Sequence, residues 1–166
     1  MRKLILFTIF VCITATVSFA QNKKADKEAA AKAQFEKAVA AVNAKDFVII
    51  VDTYEADKGA IETNNNVQMF LSYEKDFVYI QGMINSSVNK LTVSDYKQVA
   101  DKKENIKIEM QVRGSLITAK IEISLKKGGN YADVIISPTK GGSTKRFSGE
   151  IVPRAESKYF KKPGEV

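Results

Sequence analysis

The chain has 166 residues, 26 basic against 19 acidic side chains, a formal charge of +7, one cysteine, and neither histidine nor tryptophan. Without imidazole, Ser-His-Asp triads, histidine-bearing zinc sites and haem held by histidine are excluded. The lone Cys12 sits inside an apolar N-terminal run, so a thiol nucleophile is excluded once that run is removed.

Met1, Arg2 and Lys3 form a positive end, Leu4 to Val17 is apolar, and Ser18, Phe19 and Ala20 bring small residues to positions three and one before a cut. This reads as a secretory signal peptide over residues 1–20, cleaved between Ala20 and Gln21. The run is short for a membrane span of about 20 residues. Cys12 follows Val11 and lies too early in the run for lipidation. Cleavage of twenty residues from 166 leaves 146, one domain's length, with no cysteine for a disulfide. The charge falls from +7 to +5 as Arg2 and Lys3 leave. In a cytosolic chain such an excess suggests nucleic acid, but export removes that partner. Anionic lipid, lipopolysaccharide and acidic glycan remain, against the plainer reading of dispersed lysines as a solvated surface. The mature chain is expected to be periplasmic or secreted, able to touch a membrane surface without an anchor in it.

Residues 21–45 are rich in Ala, Lys and Glu, and Glu28 with Lys32 has the order that favours a helix. Ala31, Phe35, Ala38, Val39 and Val42 form one narrow apolar stripe, expected to lie across the protein's own sheet. The alternative is an arm that docks on a partner. Phe47 to Val51 is then apolar on both faces, as in a strand covered on each side, and the helix just before it is the expected cover. Asp52, Glu55 and Asp57 with Gly59 do not have the spacing of an EF-hand, and no metal is expected. Asn64, Asn65 and Asn66 read as a turn. Val67 to Tyr73 and Phe77 to Gly82 make a hairpin whose register the residues leave open. Leu91 to Tyr96 is a shorter strand, joined through Asp101, Lys102, Lys103 and Glu104 to the most regular stretch of the chain.

From Asn105 to Leu125 apolar and polar residues alternate, Ile106, Ile108, Met110 and Val112 against Lys107, Glu109, Gln111 and Arg113. Gly114 and Ser115 suit a two-residue loop with positive φ at the glycine. That loop predicts Val112 opposite Ile117, Met110 opposite Ala119, Ile108 opposite Ile121, Glu109 opposite Lys120 and Lys107 opposite Glu122. Burial of seven large apolar side chains contributes roughly 10–20 kcal/mol gross, as an upper bound, so the apolar face fixes the fold and the charges only the register. A four-residue loop, Lys126 to Gly129, would place Ile123 opposite Ala132 and Ile121 opposite Val134, which extends a meander. Pro138 ends that strand. Phe147, Gly149 and Ile151 supply a fourth row, and residues 154–166 read as a polar tail with Tyr159 and Phe160 its only bulky apolar members.

About eight strands follow, 46–54, 66–73, 76–84, 90–97, 105–113, 116–125, 130–137 and 145–152. They form a mainly β domain over 46–153, an antiparallel meander curled or closed into a lipocalin-like barrel, with one N-terminal helix over an end or face. Carboxylate pairs, Ser with Lys and Tyr with Arg remain chemically available, but none has a recognisable spacing. No catalytic residue and no cofactor are expected.

The order of signal peptide, Lys/Ala/Glu helix, Phe-Val-rich first strand and Asn-rich turn, closed by KRFSGEIVP from Lys145 to Pro153, resembles the domain of unknown function 4251 family of exported bacterial proteins. The resemblance spans roughly residues 31–153 and rests best on Arg146, Ser148, Gly149, Ile151 and the turn from Asn64 to Val67. The chain departs from it between Gly82 and Leu91, where such proteins often carry a longer Gly-rich loop. The resemblance implies a β-rich exported domain and no known activity. The residues themselves suggest a binding module for a small apolar or amphiphilic ligand, with Ile108, Met110, Ile121 and Val134 lining the interior. The alternative is an interaction or inhibitor-like envelope protein that works through its outer surface or its helix.

Overall fold

The computed structural model describes residues 2–56, 59–66 and 68–164, with side chains from residue 23 onward. A helix, α1 (Arg2–Asn43), leads into nine strands: β1 (Asp46–Glu55), β2 (Ile61–Thr63), β3 (Phe70–Glu74), β4 (Phe77–Gln81), β5 (Val88–Ala100), β6 (Ile106–Arg113), β7 (Thr118–Leu125), β8 (Tyr131–Pro138) and β9 (Lys145–Pro153). Each strand from β3 to β9 pairs antiparallel with the next, and β9 returns to pair with β1 from Phe47–Pro153 to Tyr54–Phe147. Eight strands therefore close into a barrel without an open edge. β2 is extra: it borrows the last residues of β1, Thr53 to Glu55, on the edge that β3 has left.

The interior is packed. Phe47, Ile49, Leu71, Val78, Ile80, Leu91, Ile121 and Phe147 belong to one buried cluster that runs the length of the barrel. At one end it includes Ala38, Ala41 and Val42 of α1. Only Ala44 and Lys45 separate α1 from β1, and Lys45 takes a left-handed φ of 53° to make the corner. That short link brings the small apolar side of the helix over the barrel end. Of the end or face that the sequence leaves open, the helix takes the end. Phe35 packs partly buried against the same cluster, so Phe35→Ala is expected to cost about 1–2 kcal/mol of its burial, read as a lowered melting temperature. Beside the helix end, Tyr96 stands edge-on to Tyr73 with ring centroids 5.6 Å apart and donates a 2.9 Å hydrogen bond to Gln98. Burial pushes its phenol up to about 12. Its contribution to stability is complete below the ordinary tyrosine range and is lost as pH rises through about 12. An absorbance titration of phenolate should show this ring ionising together with alkaline unfolding, and Tyr96→Phe should remove that step.

The outer side of β1 has a different cover. Val48, Phe70, Tyr79 and Val88 form a second buried cluster on the outer face, with Ile50, Phe77, Val152 and Tyr159 packed on it. Tyr159 comes from the C-terminal tail, its ring 4.6 Å from Phe70 and its hydroxyl donating to Glu74 at 3.2 Å. Gln81, 1% exposed, holds the tail by its backbone: its Nε2 donates to the Phe160 carbonyl (3.0 Å) and its Oε1 accepts from the Lys162 N–H (2.9 Å).

Two hairpin registers differ from the sequence reading by two residues. Arg113 faces Thr118, Val112 faces Ala119, Met110 faces Ile121 and Ile108 faces Ile123. The turn still has two residues, Ser115 and Leu116, and the Gly114 N–H donates to the Ile117 carbonyl at 2.8 Å. Gly114 is not at positive φ. It is small because a Cβ there would strike the Leu91 side chain and lie 2.9 Å from the Lys90 carbonyl oxygen. Close approach of β5, not turn geometry, requires the glycine. On the other edge of β7, Ile121 faces Ile136 and Ile123 faces Val134, again two residues from expectation. An even shift returns every side chain to its own face, so the apolar rows survive. The charges no longer stand directly opposite their partners, since Glu109 now faces Glu122. Lys107 lies 2.9 Å from Glu109 and 3.7 Å from Glu122, and Lys120 lies 3.2 and 2.9 Å from the same two carboxylates. Hydrogen bonds from Lys107 and then Lys120 hold the Glu109 carboxyl below the usual range. The expected pairs thus meet as diagonals. Lys120→Glu should lower the melting temperature slightly, and adding Glu109→Lys should restore it.

The 67–73/77–82 hairpin, left open by the sequence, closes on Lys75 and Asp76, with Glu74 opposite Phe77 and Lys75 at a φ of 61°.

Candidate functional site: the mouth of the barrel

Opposite α1, the barrel end is formed by the last residues of β1, β4, β6 and β8 and the first of β3, β5, β7 and β9. Met69, Met83, Ile84 and Ile117 pack on the core from this side. Two adjoining cavities open here. One, of about 250 Å³, is bounded by Tyr54, Glu62, Met69, Met83, Arg146 and Phe147 among others. The other, of about 620 Å³, runs between Ile84, the Gly114–Thr118 turn, Ile136 and the Lys140–Gly142 loop. Lys145 borders both. The floor is thioether, aromatic and aliphatic; the rim is charged.

The polar rim is ordered by its own contacts. Tyr54 donates to Glu62 at 2.6 Å, and that hydrogen bond foremost raises the phenol above its ordinary range. Arg146 pairs with Glu55 at 3.3 Å. Of the acidic residues weighed for a metal, Glu55 is thus paired, and Asp52 accepts from the Tyr131 hydroxyl at 2.9 Å. Asp57 lies outside the described residues, as does Val67 of the Asn-rich turn. That turn is built from side chains: Asn64 Nδ2 donates to the Val51 carbonyl (2.6 Å), and Asn66 Oδ1 accepts from the Gln68 N–H (2.9 Å). It delivers Met69 to the mouth.

The loop from Gly82 to Ser87 delivers Met83 and Ile84. Gly82 makes the bend at a φ of 85°, and a Cβ there would meet the Met69 side chain at 2.6 Å. The Gly82 N–H donates to the Asn85 carbonyl and the Ser87 N–H to Asn85 Oδ1, each at 3.0 Å. Beneath the loop Asn89 is 1% exposed, and its Nδ2 donates to the Ile80 carbonyl (3.2 Å), Asn85 Oδ1 (2.8 Å) and the Ser87 carbonyl (3.1 Å). Its Oδ1 has no partner among the described residues. A buried acceptor without a donor costs about 1–3 kcal/mol.

Ile108, Met110, Ile121 and Val134 all lie in the central cluster at 0–1% exposure. The mouth cavities are bounded by other residues. Ala20 and Gln21 belong to the first half of α1, where side chains are not described. Met69, Met83, Ile84 and Asn89 escaped the sequence reading. The first three sit in irregular segments with no period of two, and Asn89 is a polar residue at an inward strand position.

The fold has a solved counterpart. A crystal structure of a DUF4251 family protein from Bacteroides eggerthii DSM 20697 superposes with a TM-score of 0.69 at 27% sequence identity, over 78% of this chain and 94% of that one. The finding supports membership of the DUF4251 family. No family model matches the sequence, and no curated protein matches it either. The DUF4251 likeness is one of fold, and no activity, ligand or site residue comes with it.

Proposed function

We propose that this protein is a non-enzymatic binding module of the bacterial cell envelope, exported by cleavage between Ala20 and Gln21, that takes a small amphiphilic ligand at the barrel mouth. The observation that carries this reading is the pair of adjoining cavities, about 250 and 620 Å³, whose apolar wall of Met69, Met83, Ile84 and Phe147 meets a charged rim. Ligand sites are commonly hollows of about 300–1,000 Å³ with apolar walls and few polar groups, and barrel mouths are a usual place for them. Methionine walls adapt to irregular ligand shapes. Because Ile108, Met110, Ile121 and Val134 fill the shaft, the ligand sits at the end of the barrel, in cavities that other residues bound.

Native mass spectrometry of protein purified from its own host tests the reading. A co-purifying mass released by Met83→Asp supports it. A clean apo mass, with no binding across a panel of short-chain amphiphiles, rejects it.

A second reading, an envelope interaction protein, has one observation in its favour. β2 carries an unpaired edge among the described residues, and its Ile61 is 71% exposed beside an outer groove of about 470 Å³. Crosslinking in the envelope separates the two, since recovery of monomer alone rejects the second.

A further inference from the structure

We infer that Asn89 is the polar anchor of the ligand site, with the Gly82–Ser87 loop as the lid above it, and that the ligand's head group is a hydrogen-bond donor, a hydroxyl or an amine. This inference rests on the mouth being a ligand site and specifies what it recognises.

Asn89 sits on β5 opposite Ile80 and two residues before Leu91, both buried in the barrel core, so strand alternation turns its side chain inward. Its amide orientation is fixed, because Nδ2 faces three oxygens, those of Ile80, Asn85 and Ser87, and the flipped amide would set oxygen against all three. The acceptor Oδ1 is therefore the atom left without a donor among the described residues. Two of the three Nδ2 contacts belong to the loop, which roofs this amide and at the same time places Met83 and Ile84 on the cavities. From outside, the loop is held by Lys162 Nζ, which donates to the Ser86 carbonyl at 3.0 Å. Lifting the loop uncovers an inward amide whose Oδ1 takes a donor and whose Nδ2 loses two of its three acceptors, so a hydroxyl or neutral amine, which donates and accepts, replaces the loop without loss. No lysine, arginine, aspartate or glutamate belongs to the described interior cluster, so the head group is neutral or shares its charge with the rim.

Matched probes decide the matter. 1-Octanol and its isomer heptyl methyl ether have the same atoms, and only the alcohol carries a donor proton. Their binding to the full chain, read by displacement of an apolar fluorescent dye, should favour the alcohol about tenfold. Asn89→Leu should abolish that preference. Equal affinity of the two probes for the natural protein overturns the anchor and leaves the mouth as a plain apolar site. Binding of neither probe overturns both. Should Asn89→Leu fail to fold, the probe pair on the natural chain still gives the answer.

Discussion

Gly149→Ala is expected to be the most damaging single methyl group that can be added to this protein. Gly149 lies in β9, between Val51 of β1 and Ala132 of β8, at the seam that closes the barrel. A Cβ built there lands on the Ile50 carbonyl oxygen, with Ile49 Cγ2 at 3.3 Å. The obstacle is backbone, which cannot step aside as a side-chain tip can. The outcome is either a broken β1–β9 pairing or a displaced β1, and the core rows of both strands move with it. Overpacking by flexible neighbours costs about 1–3 kcal/mol, and a backbone collision belongs at or beyond the upper end of that range. The melting temperature should fall by on the order of 10 °C, or the protein should lose its cooperative transition. Gly129→Ala is the control, because a Cβ added at Gly129 would meet nothing within 4 Å and its φ is ordinary. An unchanged melting temperature for Gly149→Ala would mean that the seam is looser than this geometry.

Ile121→Ala comes next. Ile121 is fully buried, faces Met110 on one side and Ile136 on the other, and stands in the middle of the packed shaft. Large-to-small substitutions at such positions cost about 2–5 kcal/mol, the loss growing with the cavity left behind. The hole should be dry and apolar, so benzene or xenon should bind it and recover part of the stability. Denaturant unfolding with and without benzene measures both effects. A loss below about 1 kcal/mol, with no recovery, would show that the interior collapses around the gap and is less rigid than its packing indicates.

The parts of this structure that were legible in the sequence are those written in a period of two. The rows through Ile106, Ile108, Met110 and Val112, and through Ile121, Ile123, Val134 and Ile136, point inward as their alternation requires. Register was less legible, because Gly114 has two possible reasons to be glycine and the sequence offers no way to choose between them. The barrel carries it for the approach of Leu91 and Lys90. β2 was missed since Ile61, Glu62 and Thr63 are all exposed and too few to show a pattern. The docked tail was missed for another reason. Part of its grip comes from one buried amide, Gln81, reading main-chain atoms of Phe160 and Lys162, and main-chain recognition leaves no trace in side-chain composition. The mouth shares this difficulty: Met69, Met83 and Ile84 converge from separate irregular segments only after the strands have set their ends.

The pairing of β1 with β9 also bears on how the molecule is made. These strands are about 100 residues apart, a separation of the kind that slows folding because a long loop must close before any contact rewards it. During synthesis the free edge of β1 waits for the last strand to emerge, and the outer patch around Phe70 waits longer still for Tyr159. Chaperone capture of nascent chains ending before residue 153, and its release from chains that include residue 162, would be the biosynthetic mark of a barrel whose first strand is completed by its last.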